Sequence, residues 1–230
     1  MRTPLDVCQN RADGCCNHTL CFQRDGALVL MRKGWCWPLI LLLSSCATST
    51  APTLQPFADA KDWVLVQDMT FQFADSNQSI TVPKGFVTDF ASIPQAFWSF
   101  GYSPLDRYSK AAIVHDYLYW SQVCTKAQAD NILSKAMKDS GVSPLKAATV
   151  YEGVRLGGAL AWNSNKKARS QQRPRVIPWR YLAFPEHVTW AQYQAQLMAA
   201  QVVDPEFEQN PEFCKLGDPK PSAPSIKSWY

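Results

Sequence analysis

The side chains best suited to chemistry stand side by side in the stretch KAAIVHDYLYW, where His115 and Asp116 interrupt an apolar and aromatic run. Burying either group without a partner costs free energy, so each requires one in the fold. A histidine can take a proton from water near neutral pH, and a carboxylate can orient a histidine or hold a hard cation. These residue types therefore indicate general-base chemistry on water.

Two helices are predicted to position these groups. Ser103–Asp106 has the pattern of a helix start, and the helix is expected to continue to about Trp120. Because adjacent residues on a helix point about 100° apart, His115 and Asp116 must find separate partners. The next helix begins with a capping box at Thr125 and ends at Gly141, after a short link that favours an antiparallel pair.

Asp130 lies at the edge of the apolar stripe of this second helix. An antiparallel arrangement would bring its carboxylate to His115 and fix the tautomer of the imidazole. We therefore expect Asp130 to hold the far nitrogen of a ring that reaches water with its other nitrogen. The alternative is a buried histidine whose contact with Asp130 or a backbone carbonyl is only structural.

The remaining elements give the fold class. Strand-forming residues at 63–67, 69–73 and 79–83, with turn residues between the last two, predict a small antiparallel sheet. A third helix begins at Ser143–Pro144 and is expected to end near Trp162. Its Gly153 and Gly157 suggest that another backbone approaches closely, since glycine is costly inside a helix. The prediction is an α+β fold, a small antiparallel sheet followed by a helical core of three helices.

Four motifs in order, GFVTDFASIP, RYSKAAIVHDYLYW, KAQADNILSKAM and YEGVRLGGALAW, resemble a phage and prophage-associated family, the domain of unknown function 1353 (DUF1353). The resemblance covers roughly Ile80 to Trp162. It implies a phage or prophage origin, and it implies no activity because the family has none assigned.

The shorter motif HDYLY resembles the His-Asp-x-x-Tyr helix of secreted phospholipases A2. That resemblance implies that His115 is the base, Asp116 a calcium ligand, Asp130 the orienting acid and Tyr119 a supporting hydrogen-bond donor. Asp89, in the loop before the helix, is a second candidate ligand for the cation. The glycine-rich calcium loop and the cysteines that normally surround this pair are absent.

The segment MRKGWCWPLILLLSSC begins at Met31 and has a basic start, an apolar run too short to span a membrane, and small residues before a cysteine. It resembles a bacterial lipoprotein signal that ends at residue 45, with Cys46 as the lipid-modified residue. The alternative is a short buried strand or helix. Ala47, rather than Asp, after the cysteine implies the outer membrane, with the protein facing the periplasm or the surface.

The rest of the chain is assigned around that signal. Residues 1–30 hold four cysteines and His18 without a CxxC pair, so we interpret them as an upstream extension rather than a zinc site. Residues 46–60 are expected to form a tether, 61–165 the DUF1353-like core, and 166–230 a partly irregular C-terminal extension that includes a helix near 186–201. Cys124 and Cys214 would remain as an even pair in an oxidising compartment, which predicts a disulfide.

Two functions follow from these patterns. The first is an envelope lipoprotein that hydrolyses lipid or another envelope substrate, assisted by calcium. The second is a lipoprotein that binds a phage or cell-surface partner without catalysis, in which the His-Asp pair is structural. A net charge of +4 with no dense basic face argues against nucleic acid as a partner. In either case the lipid at Cys46 would attach the protein to a membrane.

Overall fold

The computed structural model describes residues 51–90 and 107–219, and the strands lie in the first of these ranges. They are β1 (Leu54–Pro56), β2 (Trp63–Leu65), β3 (Met69–Gln72), β4 (Ser79–Val82) and β5 (Val87–Thr88). All pairings are antiparallel, but the strands form two sheets, one in the order β1-β2-β5 and one of β3 and β4. The single sheet predicted from the sequence is thus divided, and β1 lies within the segment predicted to be a tether.

The helices are α1 (Ser109–Ser121), α2 (Lys126–Asp139), α3 (Pro144–Ser170) and α4 (Trp190–Ala199). Short 3₁₀ helices occupy Trp179–Tyr181 and Glu212–Gly217. The fold class is confirmed, since small antiparallel sheets are followed by a helical core. None of the described helices is both long enough and apolar enough to cross a bilayer.

The helix starts agree with the sequence at two of three positions. Thr125 caps α2 with the predicted capping box, and α3 begins at Pro144. The predicted start of α1 at Ser103–Asp106 lies outside the described residues. Within them α1 begins only at Ser109, because Arg107 and Tyr108 are in a turn.

The end of α3 and its glycines differ from the prediction. The helix continues to Ser170 because polar side chains of its last turns bond to the end of α1: Asn165 and Arg169 donate to the carbonyl oxygens of Tyr119 and Ser121. No atom of residues 51–90 or 107–219 would lie within 4 Å of a Cβ at Gly153 or Gly157, so no backbone in these ranges makes the close contact predicted there.

Helix α1 is buried along nearly its whole length, and α2, α3 and both sheets pack around it. The chain after α3 completes this arrangement. Val176 pairs with Phe86, and Gly85 lies so close to Ile177 that a Cβ there would stand 2.0 Å from the Ile177 carbonyl oxygen. Residues of α4 form a second apolar core with Val64 of β2 and with Phe57, which directly follows β1. The extension thus packs on the domain.

Candidate active site

His115 and Asp130 meet in the interior between α1 and α2. The Nε2 atom of His115 lies 3.2 Å from Oδ1 of Asp130, and both residues are only 3% exposed. The Asp130 carboxylate therefore faces a nitrogen of the His115 ring, as the predicted antiparallel pairing of the two helices implied. Asp130 also accepts hydrogen bonds from the Tyr119 hydroxyl at 2.6 Å and from Nζ of Lys126 at 2.7 Å.

Helical spacing explains how these four side chains converge. His115 and Tyr119 are one turn apart on α1, and their ring centroids are 4.0 Å apart. Lys126 and Asp130 are one turn apart on α2. Helix α3 closes the cluster, because Gly158 leaves room for the Tyr119 hydroxyl, which a Cβ there would approach to 2.3 Å.

The charges of the cluster follow from burial and from these hydrogen bonds. Burial lowers the pKa of His115 despite the opposing effect of Asp130. Burial alone would raise the pKa of Asp130, but the hydrogen bonds from His115, Lys126 and Tyr119 lower it below its ordinary value. The histidine is therefore neutral near pH 7 and the carboxylate is ionised. An ionised carboxylate only accepts hydrogen bonds, so the proton of the imidazole sits on Nε2.

The other ring nitrogen is left with a lone pair. Nδ1 of His115 is buried, and it has no hydrogen-bond partner among the described residues. An unsatisfied buried polar atom costs about 1–3 kcal/mol, so a native structure rarely keeps one without a role or an ordered water. A water or a substrate group bound at Nδ1 would satisfy this atom.

The expectation that the ring opens to water is not met, because His115 is 3% exposed. The reason is its position near the centre of α1, where the side chains around it are packed into the main core. Any water that reacts at Nδ1 would therefore be held in a site shielded from bulk solvent.

Asp116 turns away from His115, as expected for adjacent helical residues, and faces β5. Its Oδ2 accepts hydrogen bonds from the Thr88 hydroxyl at 2.5 Å and from the backbone N–H of Asp89 at 3.2 Å. The Asp89 carboxylate in turn pairs with the Arg175 guanidinium at 3.3 Å. The two predicted cation ligands are thus brought close together, each with partners from the protein.

A calcium ion takes six to eight oxygen ligands, more than the carboxylates of Asp116 and Asp89 supply between them. Across residues 51–90 and 107–219, no group of three or more His, Cys, Asp or Glu side chains is arranged to hold a metal ion. The roles of Asp116 and Asp89 as cation ligands remain predictions.

Sequence reasoning missed three contributors to this region. Lys126 could have been found from its one-turn spacing to Asp130. Thr88 gave no signal beyond its place before Asp89. Arg175 could not have been found, because its place against Asp89 and the rings of Trp120 and Phe86 depends on how the chain after α3 folds back.

Of the three cysteines given a role from the sequence, the structure describes Cys124 and Cys214 but not Cys46. Cys124, just before α2, forms a disulfide with Cys214 in the 3₁₀ helix Glu212–Gly217. Cys46 and the signal segment before it lie outside the described residues, so the lipid anchor remains a prediction.

Comparison with known proteins supports the first of the two resemblances. Residues 63–154 match the sequence model of the family described as "Protein of unknown function (DUF1353)". The chain is also 32% identical over 111 residues to the uncharacterized protein y4jT of Sinorhizobium fredii, which covers 47% of this chain and 33% of that protein. The chain thus spans about a third of the curated relative that it matches. No solved structure matches the chain.

The matched range contains His115, Tyr119, Lys126 and Asp130. Arg175, Cys214 and α4 lie beyond it. The cluster therefore lies within the part of the chain that resembles the family, and the contacts of the C-terminal extension lie outside that part.

Proposed function

We propose that this protein is a lipid-anchored hydrolase of the bacterial envelope in which His115 acts as a general base on water. The observation that carries the proposal is the state of the imidazole. Its Nε2 is held by an ionised carboxylate, while its Nδ1 keeps a lone pair with no hydrogen-bond partner among the described residues. A base that takes a proton from water requires this arrangement.

The neighbours of His115 support each stage of the proton transfer. Nδ1 accepts a proton as the water attacks the substrate, and the ring becomes positively charged. The ring then gives this proton to the leaving group as the scissile bond breaks. The carboxylate of Asp130 stabilises that charge and keeps the ring in one orientation. Tyr119 and Lys126 hold the carboxylate in place by hydrogen bonds to its two oxygens.

The substrate class follows from the proposed location. The signal-like segment that ends at Cys46 would attach the protein to the outer membrane, where phospholipid would be within its reach. The arrangement of His115, Asp130 and Tyr119 matches the roles implied by the resemblance of HDYLY to phospholipases A2. We therefore propose ester hydrolysis of lipid, and a phage or prophage origin for the domain.

The test is the release of fatty acid from phospholipid by the purified protein. We expect His115→Gln to lower the rate by about 100-fold or more, the usual contribution of a general base, while the protein still unfolds cooperatively. His187→Gln is the matched control, because His187 is exposed and lies outside the cluster. Equal rates for His115→Gln and the unchanged protein would refute the role of the base.

The burial of His115 favours a second candidate, a lipoprotein that binds a phage or cell-surface partner and uses the cluster only for stability. In that case His115→Gln would mainly lower the melting temperature. No hydrolysis of lipid or cell-wall extract would then be detected with the unchanged protein.

A further inference from the structure

The outward face of α3 carries three leucines that face solvent, with the exposed polar residues Thr149 and Glu152 between the first and second of them. Leu145, Leu156 and Leu160 are 80%, 73% and 82% exposed. At about 100° per residue, these leucines lie within roughly 60° of one another around the helix axis. The opposite side of the helix, which includes Val150 and Val154, packs against the core. Single exposed leucines are common, but three on one helix face form a surface that suggests a partner.

The charges of the same helix are mostly positive. Residues 144–170 contain five basic residues and one acidic residue. The acidic residue, Glu152, is paired with Arg155 on the exposed surface. Lys166 and Lys167 are exposed just beyond Leu160, so the apolar face ends in a basic cluster.

We propose that this face of α3, from Leu145 to Lys167, docks onto a bilayer that contains anionic phospholipid. The leucines enter the boundary between headgroups and acyl chains, and the lysines meet lipid phosphates. An amphipathic helix with leucines on one face and basic residues beside them has the properties of an interfacial helix. The inference rests on the proposed function, because it explains how an enzyme of lipid would meet its substrate.

Charge complementarity favours lipid over a second copy of the chain. An antiparallel pair of α3 helices centred on Leu156 would place Lys146 of one copy opposite Lys166 of the other. A parallel pair would place Lys166 and Lys167 beside the same residues of the partner. Both arrangements oppose like charges at the ends of the apolar face, whereas an anionic surface compensates them.

The same helix connects this surface to the candidate active site. On its inner side the carbonyl oxygen of Val154 accepts a hydrogen bond from Lys126, and Trp162 packs edge-on against Tyr119. One helix diameter, about 10 Å, therefore separates the proposed membrane contact from the side chains that hold Asp130.

The experiment measures co-sedimentation with vesicles of phosphatidylglycerol or phosphatidylcholine. It uses protein that begins at Ala47, without signal or lipid, because both hydrophobic cores are formed within residues 54–216. We expect the unchanged protein to bind vesicles of phosphatidylglycerol more strongly than vesicles of phosphatidylcholine. The affinity of the double variant Leu156→Ser/Leu160→Ser for these vesicles should be lower by about tenfold or more, because two leucine side chains are no longer transferred from water into the bilayer. Val203→Ser, at another exposed apolar residue, should bind unchanged.

Charge is tested with Lys166→Glu/Lys167→Glu, which should remove the preference for phosphatidylglycerol. Light scattering gives the oligomeric state of each variant. Undiminished binding by the leucine variant would overturn the proposal, and so would a dimer in the unchanged protein that the leucine variant dissociates. His115→Gln should bind as the unchanged protein does. Vesicle binding without any hydrolysis would thus refute the proposed hydrolase function but support the membrane contact of α3. Hydrolysis without vesicle binding would support the hydrolase function and refute the membrane contact.

Discussion

Asp130 is the residue on which the candidate site depends, since one carboxylate accepts hydrogen bonds from three side chains of two helices. A buried carboxylate is stable only when its charge is compensated. Lys126 supplies the opposite charge, while Tyr119 and His115 supply neutral donors. This leaves the imidazole neutral and oriented, and a base that works at neutral pH requires both properties.

Asp62 gives a pH-dependent prediction that does not depend on any catalytic role. Burial and the nearby charges of Asp59 and Asp89 raise the pKa of Asp62 to about 6. An unfolded chain would ionise this group near 3.8, so the stability that it contributes is full below that pH and is lost as the pH rises through 6.

We therefore expect Asp62→Asn to stabilise the protein at pH 7 and to change little at pH 4. Because the side chain is partly exposed, we discount the effect to about 1 kcal/mol, or about 2–4 °C in melting temperature. Thermal unfolding at both pH values measures it. Asp75→Asn is the control, because the Asp75 side chain is 67% exposed. A lower melting temperature for Asp62→Asn at pH 7 would contradict the explanation.

At the scale of elements, Gly158 determines how closely α3 approaches α1. A Cβ at this position would stand 2.3 Å from the Tyr119 hydroxyl oxygen, whereas one at Gly157 would meet no atom of the described part of the chain within 4 Å. We expect Gly158→Ala to destabilise the protein by about 1–3 kcal/mol through overpacking. Gly157→Ala should stabilise it by about 0.5–1 kcal/mol through helix propensity.

Urea unfolding of both variants measures this contrast, and a double-mutant cycle identifies its cause. Tyr119→Phe removes the oxygen that the new methyl group would meet, so it should recover part of the loss in Gly158→Ala. Equal effects of alanine at the two glycines would show that the contact with Tyr119 does not limit the helix approach.

Local signals predicted some elements well, and tertiary contacts decided the others. The capping box at Thr125 depends on a few neighbouring residues, so the start of α2 and the meeting of Asp130 with His115 could be predicted. The strand β1 could not be predicted in this way, because Leu54–Pro56 becomes a strand only by pairing with β2. The last turns of α3 look polar in sequence, yet Arg169 reaches the end of α1.

At the scale of the whole molecule, the C-terminal extension reaches the region around the candidate site. The partly buried Asp204 accepts hydrogen bonds from the Trp120 side chain and from the backbone N–H groups of Arg175 and Val176. These bonds place the Arg175 side chain against Asp89. No short-range pattern links residues so far apart in sequence, which explains why the sequence predicted only a partly irregular extension.

The disulfide between Cys124 and Cys214 fixes the end of this extension to the start of α2. Its two half-cystines are 90 residues apart in sequence, and both are buried. A cross-link that closes so long a loop stabilises the fold by about 4–5 kcal/mol when its effect is the loss of chain entropy in the unfolded state. Gly217 and Asn131 add a direct hydrogen bond between the 3₁₀ helix and α2.

We expect the double variant Cys124→Ser/Cys214→Ser to melt about 10 °C lower than the oxidised protein, because each kcal/mol is worth about 2–4 °C in a chain of this size. The reduced protein should melt near the variant, while reductant should leave the variant itself unchanged. Thermal unfolding with and without reductant measures both effects.

Because the disulfide begins one residue before the cap of α2, the variant should also loosen the helix that carries Asp130. Hydrogen exchange of the α2 amides should therefore be faster in the variant. An unchanged melting temperature in the variant would show that packing alone holds the extension on the domain.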